Sequence, residues 1–271
     1  MISWRTPSSC RLIDAVRERT EGKKSARALK RAIEANGCRV NGRIERFSSR
    51  PVQKGDQIEF LDKEESKGSS VKTILFEDED LLVLDKPAGV LSTEALKRPG
   101  VIISHRLDKD TTGVLLFTKN SRAEQEVRAL FEQRLMEKEY LALVDGRPKQ
   151  QSGLIKSLLS KKSSFQGQTI WGSSGRGLYA ETAWSVHTHF EDRSLLCCKP
   201  KTGRTHQIRV HLAEMGHPIL IDRQYASQFR SQLFASRPLL HAWRLSFSWR
   251  GKKLAFEAPL PQDLHEAISH R

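Results

Sequence analysis

Apolar residues recur at two different spacings along this chain, and the spacings predict which elements form where. In 25–35, Ala28, Leu29, Ala32 and Ile33 share one side while Arg27, Lys30 and Arg31 share the other, predicting a basic amphipathic helix that stops at Gly37. Cys38 to Ile44 reads as a strand entering an Asn41-Gly42 turn, and Val52 to Ile58 as a further turn and strand. The charged, Ser/Gly-rich stretch 63–71 predicts a linker. Beyond it the apolar runs Leu81–Leu84, Val114–Phe117 and Tyr140–Val144 predict strands, the first ended by Lys86-Pro87-Ala88-Gly89. Ser121 and Glu124 read as a capping box opening a helix with Val127, Leu130, Phe131 and Leu135 on one face. The stretch 151–177 is polar, basic and rich in Gly and Ser, predicting a long surface loop. Hairpins are predicted around Glu191-Asp192 and Gly251, with a helix over 205–215 between them that buries Ile208, Leu212 and Met215. The expected organisation is a small α/β module over 1–62, the linker 63–71, and an α+β domain over 72–271.

The net charge changes this picture. With 46 Lys and Arg against 32 Asp and Glu, the chain carries +14 at neutral pH, which suits a polyanionic partner such as nucleic acid or an anionic membrane surface. No apolar run approaches the length of a membrane span, and residues 1–12 lack the apolar core of a signal peptide. Cys10, Cys38, Cys197 and Cys198 show no CxxC spacing and read as reduced packing residues of a cytoplasmic protein. His187, His189, His206, His211 and His217 lack a metal-ligand spacing, so no metal is expected.

The stretch His105-Arg106-Leu107-Asp108-Lys109-Asp110-Thr111-Thr112-Gly113 sets a carboxylate, Asp108, between cations on a turn that feeds a buried-looking strand. Neighbouring positive charge favours the ionised form that a nucleophilic carboxylate needs. Taken alone, the stretch equally describes a solvated loop. Four segments together go further: "LLVLDKPAGV" (81–90), "HRLDKDTTGVLLFTK" (105–119), "EKEYLALV" (137–144) and "KTGRTHQIRVHL" (201–212). In this order they resemble the RluA-type pseudouridine synthases, and the likeness extends over nearly all of 71–265. It implies a mostly antiparallel mixed sheet flanked by helices and loops, and the isomerisation of uridine to pseudouridine in RNA without a cofactor. It further implies Asp108 as catalytic carboxylate, Tyr140 as the tyrosine that stacks on the base, and Arg209 as the arginine paired with the aspartate. Arg106 is implied at the opened RNA, while Ile208, Leu212 and Lys86 are expected near the substrate. Asp110 is the in-chain competitor of Asp108, and hydrogen bonding within the turn is its simpler role.

The basic helix, the "GCRVNG" string (37–42) and "KGDQI" (54–58) resemble the small RNA-binding domain that a ribosomal small-subunit protein shares with many RNA-modifying enzymes. This implies RNA contacts from Arg27, Lys30, Arg31, Arg39 and Asn41. The expected substrate is large-subunit ribosomal RNA, with transfer RNA left open, acted on by a cytoplasmic monomer. A non-catalytic ribosome-assembly factor is the rival reading; a glycosidase using Asp108 and Asp110 is another, but two carboxylates on one tight turn leave no place for the attacking water. Two departures bear on loop geometry and target choice: Ile221 stands where a glycine is common, and the stretch between Gly89 and His105 is short.

Overall fold

In the N-terminal part, alternating buried and exposed positions produce short elements. These are β1 (Ile2–Arg5), β2 (Cys10–Arg11), α1 (Leu12–Arg19), α2 (Ala26–Glu34), β3 (Cys38–Val40), β4 (Arg43–Ile44), β5 (Pro51–Val52) and β6 (Gln57–Phe60). The computed structural model describes residues 2–34, 37–61, 73–165, 168–226, 228–233 and 235–269; the expected linker 63–71 lies outside the described residues. The chain separates into two units, Met1–Ser70 with Gln232–Arg237, and Val71–Ser231 with Pro238–Arg271. In the first, strands run in the order β1-β6-β3-β4, and Leu12, Val16, Leu29 and Ile33 from the helices meet Val40, Ile58 and Phe60 in one core. The turn between β3 and β4 has Asn41 at φ 52° and Gly42 at φ 75°, the left-handed pair that an Asn-Gly hairpin turn requires.

The second unit contains β7 (Thr73–Glu77), β8 (Leu81–Lys86), β9 (Ile102–Ile103), β10 (Thr112–Thr118), α3 (Ser121–Glu132), β11 (Glu137–Asp145), β12 (Ser152–Phe165), β13 (Gln168–Ser173), β14 (Leu178–His189), β15 (Arg193–Pro200), α4 (Gln207–Glu214), β16 (Leu240–Trp249), β17 (Lys252–Glu257) and α5 (Gln262–Ser269). Among the described residues, eleven strands form one sheet in the order β13-β12-β14-β15-β11-β16-β10-β8-β7, with β17 added to β16 and β9 to β10. Its pairings are antiparallel except β10 with β16. The sheet is mixed and mostly antiparallel, and the class is α+β.

Strand β8 is apolar without alternation because both faces of the sheet are covered there. Leu81 and Val83 pack with Val127 of α3 and Phe247, while Leu82 and Leu84 pack with Leu107 and Ala95 from the loop on the other face. The parallel contact of β10 with β16 requires glycine at 113. Its φ is 111°, and a Cβ there would lie 2.1 Å from the Ala242 carbonyl oxygen. Thr112 Oγ1 and His241 Nδ1, 2.8 Å apart and buried, add a side-chain bond across the same pair.

Three expectations are corrected. The stretch 151–177 is largely paired strand: β12 pairs with both β14 and β13. Backbone pairing at the end of a sheet needs little side-chain burial, so Ser and Lys are tolerated there and hide the pattern. The cap of α3 is Asn120, whose Oδ1 accepts from Ala123 N at 2.9 Å; Glu124 pairs with Arg128 one turn on. The helix expected from Thr205 starts at Gln207, because His206 is left-handed at φ 56° and cannot belong to it.

Candidate active site

Asp108 sits on irregular chain, so its position depends on what grips the backbone on either side. Leu107 N donates to Ser92 Oγ and the Ser92 hydroxyl donates to Leu107 O, both at 2.8 Å and both buried. On the other side Lys86 Nζ donates to Lys109 O at 2.9 Å, and also to the Pro87 and Val90 carbonyls at 2.9 Å. Thr111 N donates to Asp108 O, closing the turn. Lys86 is fully buried, so its expected place as a substrate contact is corrected: its ammonium fastens the 87–90 turn to the Asp108 loop. His105 is likewise structural. Its Nε2 accepts from Leu116 N at 3.1 Å and its ring lies 5.4 Å from Phe131; burial, then the charge of Lys138, pushes its pKa down to about 3, so it stays neutral.

Helix α4 brings the counter-charge. Gln207 organises the loop before it, donating through Nε2 to Thr182 Oγ1 and Glu181 O, and accepting at Oε1 from Thr202 Oγ1 and Arg204 N. Arg209, two residues on, is 10% exposed at its side chain and donates from Nη1 to Asp108 Oδ2 at 3.2 Å. Its tighter partner is one the sequence reading did not identify. Asp222, 1% exposed, accepts from Nε at 2.6 Å and from Nη2 at 2.8 Å, and Gln224 Oε1 accepts from Nη2 at 2.7 Å. The expected partner Asp108 is thus present, and Arg209 is shared between it and Asp222. Burial alone would ease proton loss, yet the hydrogen bonds and charge of Asp222, with the charge of Asp108, hold Arg209 above the usual arginine range.

Tyr140 stands where β11 is offset against β16 by an irregularity between Glu139 and Tyr140. Its ring touches both the cluster beneath the Asp108 loop, with Leu107 and Ala95, and the cluster beneath α4, with Ile208 and Leu212. Burial, and then the negative charge of Asp108, raises its pKa, so it remains a phenol at neutral pH. Lys138, two residues earlier, donates to Thr202 O at 3.2 Å, and burial lowers its pKa to about 8. Asp108, Tyr140 and Arg209 are thus brought together from a loop, a strand and a helix.

Arg106 is exposed beside this group, and so is Asp110. Leu212 is fully buried in the core with Ala142, Leu196 and Leu240, and Ile208 is 6% exposed in the same cluster; both are core residues first, which corrects the expectation for Leu212 as a substrate contact. In the N-terminal unit Arg27, Lys30 and Arg31 lie exposed on α2, opposite buried Leu29 and Ile33. Two other expected RNA contacts are already engaged. Arg39 pairs with Glu59 at 3.7 Å and donates to Gln232 O. Asn41 accepts at Oδ1 from Gln57 N and donates from Nδ2 to Asp56 Oδ1, both at 2.9 Å. Both side chains thus also brace the strands around them.

His206, Asp222, Gln224 and Tyr225 complete the surroundings of Asp108. His206 Nε2 is 3.8 Å from Asp108 Oδ2, and its Nδ1 is 2.7 Å from Tyr225 Oη. The Arg209 guanidinium lies 5.1 Å from the Tyr225 ring centre. The departure at Ile221 has a structural counterpart: its φ is 71°, costly for a β-branched residue and held immediately before Asp222.

Comparison with known proteins addresses the family rather than the individual site residues. A sequence model of the RNA pseudouridylate synthase family matches residues 80–214. Ribosomal large subunit pseudouridine synthase C of Pasteurella multocida (strain Pm70) is 37% identical over 218 residues, covering 73% of this chain and 67% of that protein. The synthase C of Yersinia pestis is 32% identical over 250 residues, covering 84% and 78%. Among solved structures, human RNA pseudouridylate synthase domain containing 4 superposes with a TM-score of 0.63 at 24% identity, over 73% of this chain and 92% of that one. Human RNA pseudouridylate synthase domain containing 1 gives 0.61 at 26%, over 73% and 93%.

Asp222→Ala should cost about 3–5 kcal/mol of stability, because it strips a buried guanidinium of its bidentate carboxylate partner. Urea denaturation measures it. A loss below about 1 kcal/mol, the size of an exposed pair, would show that Arg209 is not held this way.

Proposed function

Because the chain belongs to the RNA pseudouridylate synthase family, and is therefore an RNA-modifying isomerase, we propose that it converts specific uridines of large-subunit ribosomal RNA to pseudouridine with Asp108 as the working carboxylate. The observation that carries this reading is the setting of Asp108: a carboxylate 27% exposed, on backbone gripped from both sides, with Oδ2 on a buried guanidinium. The curated relatives are named for the ribosomal large subunit, which supports that RNA over transfer RNA.

The reaction breaks the bond from ribose C1′ to uracil N1, turns the base and rejoins it through C5. Asp108 can serve in two ways. It can add to C1′ as the electron pair leaves with uracil, and depart again when C5 attacks. Alternatively it can take the C2′ proton to give a glycal and return it later. In both, the proton on C5 is lost and N1 gains one, so no redox partner enters. Tyr140 offers a ring face on which the freed base turns without being fixed in one orientation. Its raised pKa keeps a hydroxyl there rather than a second negative charge. Arg106, exposed beside the site, contacts the opened RNA, as expected when a target base leaves its stack.

On this reading Arg27, Lys30 and Arg31 supply phosphate contacts from the exposed face of α2. A non-catalytic binding protein of the same fold has no need of a buried arginine shared between two carboxylates at a partly open turn, and the site favours the enzyme. Work on ribosomal RNA would put the protein in the cytoplasm.

Mapping pseudouridine in total RNA from cells with and without the gene should show one or a few large-subunit positions lost. An unchanged map in cells shown to make the protein contradicts the reading, and losses confined to transfer RNA would move the substrate. Replacing Arg27, Lys30 and Arg31 by alanine should reduce the slope of log affinity against log salt by about 2. An unchanged slope would remove α2 from the RNA contact.

A further inference from the structure

Strand β13 is tied twice to the groups around Asp108, and neither tie is needed to form the sheet. Trp171 N donates to Tyr225 Oη at 3.3 Å, and Tyr225 Oη lies 2.7 Å from His206 Nδ1. Because the phenol oxygen already accepts from Trp171, its hydrogen is the one to occupy the bond to Nδ1. The imidazole proton then sits on Nε2, which faces Asp108 Oδ2 at 3.8 Å. Burial, followed by the charge of Arg209, lowers the His206 pKa, and burial raises that of Tyr225 to about 12, so both groups are neutral and the chain of donors runs one way. In the second tie, Gln224 donates from Nε2 to Thr169 O at 2.9 Å and accepts from Arg209 Nη2 at 2.7 Å. Thus the two donors aimed at Asp108 Oδ2, from Arg209 and His206, are each one residue removed from β13.

Backbone strain lies at the same place. His206 is held at φ 56° and Ile221 at φ 71°, each next to a group that acts on Asp108 or on Arg209. Conformations of this kind persist when their surroundings over-determine them. For His206 the surroundings are Tyr225, stacked edge-on at 5.7 Å, and the loop that Gln207 organises.

We propose that His206 and Tyr225 are positioning residues for the isomerisation: they turn Asp108 Oδ2 inward, leave Oδ1 to face the ribose, and couple that setting to strand β13. The inference rests on the reading of Asp108 as the working carboxylate. The 3.8 Å gap shortens to a hydrogen bond when substrate is seated, as such contacts do on going from the free to the loaded enzyme.

The experiment is single-turnover conversion of unmodified large-subunit ribosomal RNA, transcribed in vitro, by the full-length protein, with RNA affinity measured alongside. His206→Gly accepts φ 56° at no steric cost, so the fold is kept while the donor is lost. Its rate at saturating enzyme should fall roughly thirtyfold, with affinity within about threefold. His206→Gln, whose amide reaches the place of Nε2, should recover part of that loss. Tyr225→Phe keeps the ring against Arg209 and removes the hydroxyl; it should slow the same step roughly tenfold. Wild-type rates in His206→Gly and Tyr225→Phe would overturn the proposal, as would a loss confined to affinity or a glutamine variant no faster than glycine. A wild type that forms no pseudouridine in this RNA would instead contradict the ribosomal substrate, so the two readings fail separately.

Discussion

A buried guanidinium has to be neutralised where it stands, and the site depends on how that is done at Arg209. Asp222 takes two of its N–H groups at 2.6 and 2.8 Å, and Asp108 receives one from Nη1 at 3.2 Å. The asymmetry is useful. If Asp108 were the sole partner, the carboxylate proposed to react would also be the one needed to keep a charge buried. With Asp222 in that role, Asp108 can stay at the surface of the site, polarised and partly open.

The rest of the second unit serves the same end. The loop bearing Asp108 is held by Ser92 on one side and Lys86 on the other, and its Leu107 is packed into the sheet. Glycine at 113 lets β10 lie against β16 and so fixes where that loop must end. Tyr140 joins two apolar clusters, one under the loop and one under α4, so the loop and the helix are referred to a common floor. Placement of a few polar groups on rigid neighbours is what a reaction made of bond rotation and rejoining needs.

Much of this was legible in the sequence because the signals are local. The Asn41-Gly42 turn, the apolar run of β8 and the hairpin turning at Arg250-Gly251 each follow from adjacent residues. The 151–177 hairpin was not, since a solvated strand at the sheet's end carries Ser and Lys without a buried stripe. Lys86 reads as a ligand because a cation in a motif looks available until its distant partners are known; the Lys109 carbonyl is one of them. Asp222, Gln224 and Tyr225 carried a weak signal in the unusual Ile221 just before them, but only folding brings that segment to Arg209. A buried arginine on α4 did demand a carboxylate, and the demand is met twice.

The most direct test of the account is Asp108→Asn in the full-length protein, assayed for pseudouridine formation and RNA affinity on the same transcript. The substitution keeps the shape of the side chain and removes its charge. The account predicts no detectable isomerisation, with RNA affinity within about tenfold, or ~1.4 kcal/mol, of the wild type. Pseudouridine formation by the asparagine variant at a rate comparable to wild type would contradict it.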